Sequence, residues 1–236
     1  MIKNLKSIFL AVFIALIIRS FVVEPFNIPS GSMKPNLLVG DFLFVTKWSY
    51  GYSKHSLPFS LPLIPGKIFN KMPNRGEVVV FKTPTDNRTD YIKRVIGLPG
   101  DKIIIKNGQI IINDSLILKQ RTDDFKDIGK KNNINLIPQY IEYFYDLELK
   151  VLDISENGIV DNTPYYKVPK GHFFVLGDNR DNSQDSRFLN RVGYVPIENL
   201  VGKAQFIFFS LENARFYQIW KWPTSIRFNR IMKKIL

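Results

Sequence analysis

A short loop near the start of the chain places two hydroxyl side chains two residues apart. It covers residues 28–38, IPSGSMKPNLL, in which Ser30 and Ser32 flank Gly31 and a proline stands on each side. A loop with so restricted a backbone can hold a serine nucleophile beside N–H groups that stabilise an oxyanion. Serine, glycine and proline are also common turn residues, so an ordinary turn is the alternative.

A lysine in an apolar strand supplies a candidate base. Lys93 lies in the run YIKRVI at residues 91–96. Alternate side chains of a strand share a face, which places Lys93 with Tyr91 and Val95 and sends Arg94 to the other face. Loss of hydration lowers the pKa of a lysine, and a neutral amine can accept a serine proton. The alternative is an edge lysine that prevents strand aggregation or extends into water.

A third candidate is the polar run at residues 177–188, GDNRDNSQDSRF. An EF-hand calcium loop does not fit, because neither a start at Asp178 nor one at Asp181 places glycine at the sixth position. A hydrogen-bonded network that supports a site fits better. Asp185 and Arg187 are two residues apart and are able to pair within it.

Several other kinds of site are excluded by composition. The 236 residues include no cysteine, which excludes disulfides, zinc ribbons, iron–sulfur clusters and thiol nucleophiles. The two histidines, His55 and His172, make a multi-histidine metal site unexpected. A Ser-His-Asp triad would need one of them, and His172 lies in an apolar strand where a structural role is favoured.

The N-terminal segment has the pattern of a membrane anchor. Residues 1–7 carry Lys3 and Lys6, and the apolar run that follows extends over residues 8–23, interrupted at Arg19 and Ser20. As a helix this run is about 24 Å long, short but usable against a hydrocarbon core of about 30 Å. The two lysines predict a cytoplasmic N-terminus with the remainder outside. A cleaved signal peptide and a buried helical hairpin are the alternatives.

The charge balance and two further segments also suggest a membrane partner. Lysine and arginine number 33 against 21 acidic residues, a net charge of +12, which fits nucleic acid or an anionic membrane. Residues 57–69 are apolar with three prolines, and the tail at 215–236 has six basic and no acidic residues among aromatic side chains. Such a tail can bind single-stranded nucleic acid, but beside an anchor it fits the membrane interface better. We therefore expect a phospholipid bilayer as partner and no nucleic acid.

Short β-type runs separated by Gly, Pro and Asn dominate the chain after residue 30, and no long amphipathic helix is expected there. The sequence KIIIK-NG-QIIIN at residues 102–113 predicts a hairpin with Asn107-Gly108 as its two-residue turn. We therefore expect a mostly β fold, a twisted sheet or barrel-like core. The other expected strands are Asp41–Lys47, Glu77–Lys82, Tyr91–Gly97, Gln139–Asp153, Tyr165–Val168, His172–Gly177 and Val201–Ser210.

Taken together, the motifs resemble the bacterial type I signal peptidases, the leader peptidases of the Ser/Lys class. Four blocks occur in the order of that family: residues 26–45, 75–82, 90–102 and 177–188. The resemblance implies that Ser32 is the nucleophile, Lys93 the general base, and Ser30 an oxyanion-hole donor beside the N–H of Ser32. It also implies that Ser183 orients the lysine and that Asp185 and Arg187 form a supporting pair.

The family fold implied by this resemblance is a transmembrane helix followed by a β catalytic core with an inserted smaller β domain. That maps the core to residues 24–106 and 171–214, the insertion to 107–170 and a membrane-proximal tail to 215–236. Residues 114–156 follow no pattern that we recognise.

The implied activity is a membrane-bound endopeptidase that removes signal peptides from exported preproteins with small residues at positions −1 and −3. It would work on the outer face of the cytoplasmic membrane, with no metal and no cofactor. A self-cleaving Ser/Lys protease of the SOS-repressor type is disfavoured, because a membrane span replaces its DNA-binding domain. A non-enzymatic, membrane-anchored β module is the alternative from another class.

Overall fold

The structure of the protein is a computed structural model that describes residues 2–128, 133–155, 157–214 and 216–236. Four parts of the expected domains lie outside the described residues: Met1 of the N-terminal segment, residues 129–132 and Glu156 of the insertion, and Arg215 at the start of the tail.

Strands make up most of the regular structure, so the predicted mostly β class is confirmed. The strands are β1 (Val23–Asn27), β2 (Asp41–Thr46), β3 (Tyr52–Ser53), β4 (Lys67–Ile68), β5 (Val78–Lys82), β6 (Asp90–Gly97), β7 (Lys102–Lys106), β8 (Gln109–Ile112), β9 (Ser115–Leu116), β10 (Leu118–Arg121), β11 (Phe125–Ile128), β12 (Ile134–Ile137), β13 (Gln139–Phe144), β14 (Leu147–Leu152), β15 (Tyr166–Lys167), β16 (His172–Leu176), β17 (Val195–Pro196) and β18 (Leu200–Ser210). The helices are α1 (Ile2–Ile17), a π-helix (Ile18–Val22), α2 (Trp222–Ser225) and 3-10 turns at Lys54–Ser56, Pro58–Ser60, Ile197–Asn199, Ile219–Lys221 and Phe228–Arg230.

The N-terminal helix is present, with its apolar side chains exposed between Ile8 and Val22. Within the described residues, however, none of the helices combines the length and the apolar character that crossing a membrane requires. The fold therefore does not confirm the expected transmembrane span.

Seven antiparallel strands form the main sheet, in the order β1-β2-β18-β5-β6-β16-β17. In β5, Val78 and Val80 belong to one buried apolar cluster, whereas Val79 and Phe81 belong to another. Because successive side chains of a strand point to opposite faces, both faces of the sheet are covered here. This explains why β5 is a continuous apolar run rather than an alternating one.

Smaller sheets are built from the residues between β6 and β16. β7 and β8 form the predicted hairpin, in which Lys106 pairs with Gln109. Asn107 and Gly108 both have positive φ, 48° and 69°, as a type I′ turn requires, so the hairpin prediction is confirmed. The sheets are β15-β7-β8-β9, β10-β13-β14 and β11-β12.

One sequence prediction differs from the structure in this region. The single strand expected over Gln139–Asp153 is two strands, β13 and β14, which turn at Tyr145 with a φ of 55°. A bulky residue at such a φ is unusual, so residue type did not predict a turn here. Strand pairing groups β7 with the smaller sheets. The expected insertion at residues 107–170 stays a prediction.

The C-terminal tail packs on the main sheet over much of its length. The Phe216 and Trp222 rings lie 6.3 and 5.0 Å from the Phe209 ring, measured between centroids. Arg227 and Arg230 both pair with the buried carboxylate of Asp41. Part of the expected membrane-facing tail is therefore engaged with the protein.

Candidate active site

Ser32 lies in the turn that connects β1 to β2. The turn is closed by backbone hydrogen bonds, from Lys34 N–H to the Gly31 carbonyl (3.1 Å) and from Leu37 N–H to the Met33 carbonyl (2.9 Å). Ser32 is 8% exposed, so its hydroxyl is recessed below the surface. The turn thus fixes the backbone on both sides of this hydroxyl.

Ser30 stands at the mouth of the same turn. It is exposed, and its Oγ lies 3.4 Å from Ser32 Oγ. The backbone N–H of Ser32 donates no hydrogen bond to any described group. A hydroxyl and an N–H are therefore both available next to Ser32 Oγ, which are the donors that an oxyanion needs.

Lys93 meets this turn from β6, the neighbour of β5 and β16 in the main sheet. Its Nζ is hydrogen-bonded to Ser32 Oγ at 2.6 Å, and the lysine is 3% exposed. A fixed distance this short is within the range of direct proton transfer between hydroxyl and amine. The structure thus brings together two residues that are 61 positions apart in the chain.

The environment of Lys93 favours the neutral amine. Burial removes the hydration of its ammonium group and lowers the pKa of Lys93 from 10.5 to about 8. Asp185 and Asp178 oppose this shift, whereas Arg187 adds to it. At mildly alkaline pH the amine is therefore free to accept the proton that the Ser32 hydroxyl donates.

Asp185 and Arg187 lie behind the lysine as a buried ion pair. Arg187 Nε donates to Asp185 Oδ1 at 2.8 Å, and the Gly177 N–H donates to Asp185 Oδ2 at 3.0 Å. Burial favours a neutral carboxyl, but Arg187 and these hydrogen bonds hold the pKa of Asp185 below its usual range. The carboxylate is thus charged and fixed in position.

Ser183 is buried in the same loop, but it makes no hydrogen bond to Lys93. Its Oγ meets no described group in hydrogen-bonding geometry, but it lies close enough to the Asp185 carboxylate to help lower the pKa of Asp185. A side chain at Gly177 would overlap Ser183 Oγ and would lie 2.6 Å from the Ser32 carbonyl oxygen. The close approach of the polar loop to the serine turn therefore requires glycine at this position.

Three residues near the site were not singled out from the sequence. The Asn179 N–H donates to the Ser32 carbonyl and its Nδ2 donates to the Gly31 carbonyl, each at 3.0 Å. Arg94, expected on the strand face opposite Lys93, is buried and pairs with Asp178 at 2.7 Å. Asn179 and Asp178 could have been suspected because both lie in the polar run at residues 177–188. The pairing of Arg94 with Asp178 could not be predicted from the spacing of residues in the sequence.

The serine turn is also tied to the smaller sheets. Lys34 Nζ contacts both carboxylate oxygens of Asp127 in β11, at 2.6 and 2.7 Å. This ion pair joins positions 93 residues apart, and it is partly buried at both ends.

Neither histidine completes a triad. His172 Nδ1 contacts the Lys170 carbonyl at 2.9 Å, and His55 Nδ1 contacts Ser60 Oγ at 3.1 Å. No hydrogen bond joins either ring to Ser32 in the part of the chain that the structure describes.

Comparison with known proteins gives matches over most of the chain. Residues 1–209 match the family model described as signal peptidase, peptidase S26. The Signal peptidase I of Rickettsia typhi is 41% identical over 99% of this chain and 93% of its own length. That of Rickettsia conorii is 41% identical over 94% of this chain and 88% of its own length.

Among solved structures, a signal peptidase I from Enterococcus faecalis matches with a TM-score of 0.33 and 26% identity, over 56% of this chain and 97% of its own. The family match and the near full-length relatives together show that the chain belongs to the signal peptidase family, peptidase S26, and is a peptide-bond hydrolase.

Proposed function

We propose that the protein removes signal peptides from exported preproteins with a catalytic dyad of Ser32 and Lys93. The observation that carries this proposal is the 2.6 Å contact between Ser32 Oγ and a lysine amine that is 3% exposed. Membership of the signal peptidase family supplies the class of substrate. The preference for small residues at −1 and −3 follows from the resemblance, and the recessed Ser32 is consistent with it.

Acylation begins with the neutral amine of Lys93. The amine accepts the Ser32 proton while Oγ bonds to the scissile carbonyl carbon, and the carbonyl electron pair moves onto oxygen. The Ser30 hydroxyl and the Ser32 N–H donate to the resulting oxyanion. When the intermediate collapses, the C–N bond breaks and the leaving amine takes the proton from the Lys93 ammonium.

Deacylation repeats these steps with water in place of the serine. Lys93 accepts a proton from a water molecule, whose oxygen bonds to the ester carbon. Collapse of the second intermediate breaks the bond to Ser32 Oγ, which regains a proton from the lysine. The signal peptide leaves as a carboxylate, and the enzyme returns to its starting state.

Removal of either member of the dyad is expected to abolish this chemistry. In the detergent-solubilised protein, Ser32→Ala and Lys93→Met should each lower kcat for preprotein cleavage by roughly 10⁴-fold or more, because the two groups act as a unit. Lys67→Met is the matched control, since burial also lowers the pKa of Lys67, to about 7, but its Nζ contacts the Leu200 carbonyl. More than a tenth of the parent kcat in either dyad variant would exclude the mechanism.

The proposed oxyanion role of Ser30 has its own signature. A contact made only in the transition state affects kcat, so Ser30→Ala should lower kcat by about 10²–10³-fold with little change in KM. Ser30→Thr keeps the hydroxyl and should recover much of the rate. If Ser30 only shapes the turn, the two variants should behave alike and lose thermal stability, which the melting temperatures would reveal.

We further propose that the enzyme is anchored in the cytoplasmic membrane as a single-pass protein, with its N-terminus in the cytoplasm and its active site on the outer face. The exposed apolar side chains of α1 support this, among them Phe9 (75% exposed). Phe69 (83%) and Trp220 (70%) add exposed apolar contacts outside the helix. A bilayer would remove this surface from water.

Disrupting the apolar surface of the helix tests the anchor. Changing Leu10 and Phe13 to aspartate should release the full-length protein from carbonate-washed membranes, which retain the parent protein. The control changes Leu118 and Leu136 to aspartate, because both are exposed but lie in the smaller sheets. Retention of the helix variant in the membrane fraction would contradict the anchor.

A further inference from the structure

Three carboxylates converge where the smaller sheets meet the polar loop of the active site. Asp153 follows β14, Asp161 precedes β15, and Asp181 lies in the loop after β16. One oxygen from each lies within 4.8 Å of the other two. Asp153 and Asp161 are 8% and 2% exposed, so two of the three charges are held away from water.

The Asp153 carboxylate has one oxygen without a partner. Its Oδ2 accepts a hydrogen bond from Lys119 Nζ. Its Oδ1 is fully buried and receives no hydrogen bond from any described group. A buried carboxylate oxygen with no donor costs free energy, so this atom lacks the donor or cation that such a position requires.

The other two carboxylates also use only one oxygen each in contacts with described groups. Asp161 Oδ2 accepts from the Gly158 N–H at 2.5 Å. Asp181 Oδ2 accepts from the Ile154 N–H at 2.6 Å and from the Ser155 N–H at 2.9 Å. These hydrogen bonds fix the orientation of both groups and leave an Oδ1 atom on each.

The cluster carries more negative charge than its protein partners neutralise. Within the described residues, its one ion pair is that of Lys119 with Asp153, which leaves two negative charges. A divalent cation would balance this charge.

We infer that Asp153, Asp161 and Asp181 form a Ca²⁺ site. Carboxylate oxygens are the ligands that Ca²⁺ prefers, at about 2.3–2.6 Å, so ligands on opposite sides of the ion are up to about 5 Å apart. The oxygens of the cluster span up to 4.8 Å. Mg²⁺ needs a tighter octahedron, at about 2.0–2.1 Å, and usually keeps several waters.

The site joins the smaller sheets to the catalytic loop. Leu152, next to Asp153, pairs with the backbone of Asn179, which in turn holds the Ser32 carbonyl. Asp181 lies two residues beyond Asn179 in the same loop. Bound Ca²⁺ therefore stabilises the contact between Leu152 and Asn179, and with it the position of Asn179 against the serine turn. This role does not depend on the identity of the substrate.

The test measures CaCl2 binding to the full-length protein in detergent after treatment with EDTA. Calorimetry should show one saturable Ca²⁺ per chain, and 5 mM CaCl2 should raise the melting temperature by about 3 °C. Asp181→Asn should abolish both effects, because it removes the charge yet keeps an oxygen for the N–H groups of Ile154 and Ser155. Asp146→Asn, at an exposed turn between β13 and β14, should retain both.

Three outcomes would overturn the site. These are no saturable binding to the parent protein up to 10 mM CaCl2, equal binding by the Asp181→Asn and Asp146→Asn variants, and an equal rise in melting temperature with MgCl2. Calorimetry on the parent protein alone tests the first of these outcomes. That result does not depend on how well the Asp181→Asn variant folds.

Discussion

Burial of one lysine amine against one serine hydroxyl is the interaction on which the proposed chemistry depends. An exposed lysine at neutral pH is an ammonium ion and cannot accept a proton. The 3% exposure of Lys93 removes the water that would stabilise that ion, and the 2.6 Å contact with Ser32 gives the neutral amine a proton to accept. The main sheet supplies this burial, because β6 lies between β5 and β16.

The buried carboxylates near the dyad are each paired with an arginine rather than with Lys93. Asp178 is fully paired with Arg94, and Asp185 with Arg187. If either carboxylate had no other partner, its charge would stabilise the ammonium form of Lys93 and raise the pKa of the amine. Arg187 therefore does more than satisfy a buried carboxylate, since its charge also lowers the pKa of Lys93.

Local patterns predicted the parts of this structure that depend on neighbours in sequence. The Asn107-Gly108 turn has a φ requirement that few residue pairs meet, so its hairpin could be predicted with its register. The Ser30 and Ser32 pair and Lys93 were found from residue type and backbone restriction, and their roles were assigned by resemblance. The turn at Tyr145 was missed, because it carries no glycine, proline or asparagine.

Contacts between distant segments could not be predicted from the sequence. The bond from Asn179 to the serine turn and the pairing of Arg94 with Asp178 depend on how two loops meet. The acidic cluster is the clearest example of such a contact. An EF-hand requires its ligands within one continuous loop, and the loop around Asp181 does not fit that pattern. The other two carboxylates, those of Asp153 and Asp161, lie at least 20 residues before Asp181 in the chain.

The pH dependence of kcat/KM for preprotein cleavage tests the central claim most directly. Because the pKa of Lys93 is lowered to about 8, the amine is protonated and inactive below that pH and neutral above it. The account predicts that kcat/KM rises with pH, with a midpoint near 8, and then reaches a plateau. A profile that is flat from pH 6 to pH 10, or one whose midpoint lies at the ordinary lysine value of 10.5, would contradict it.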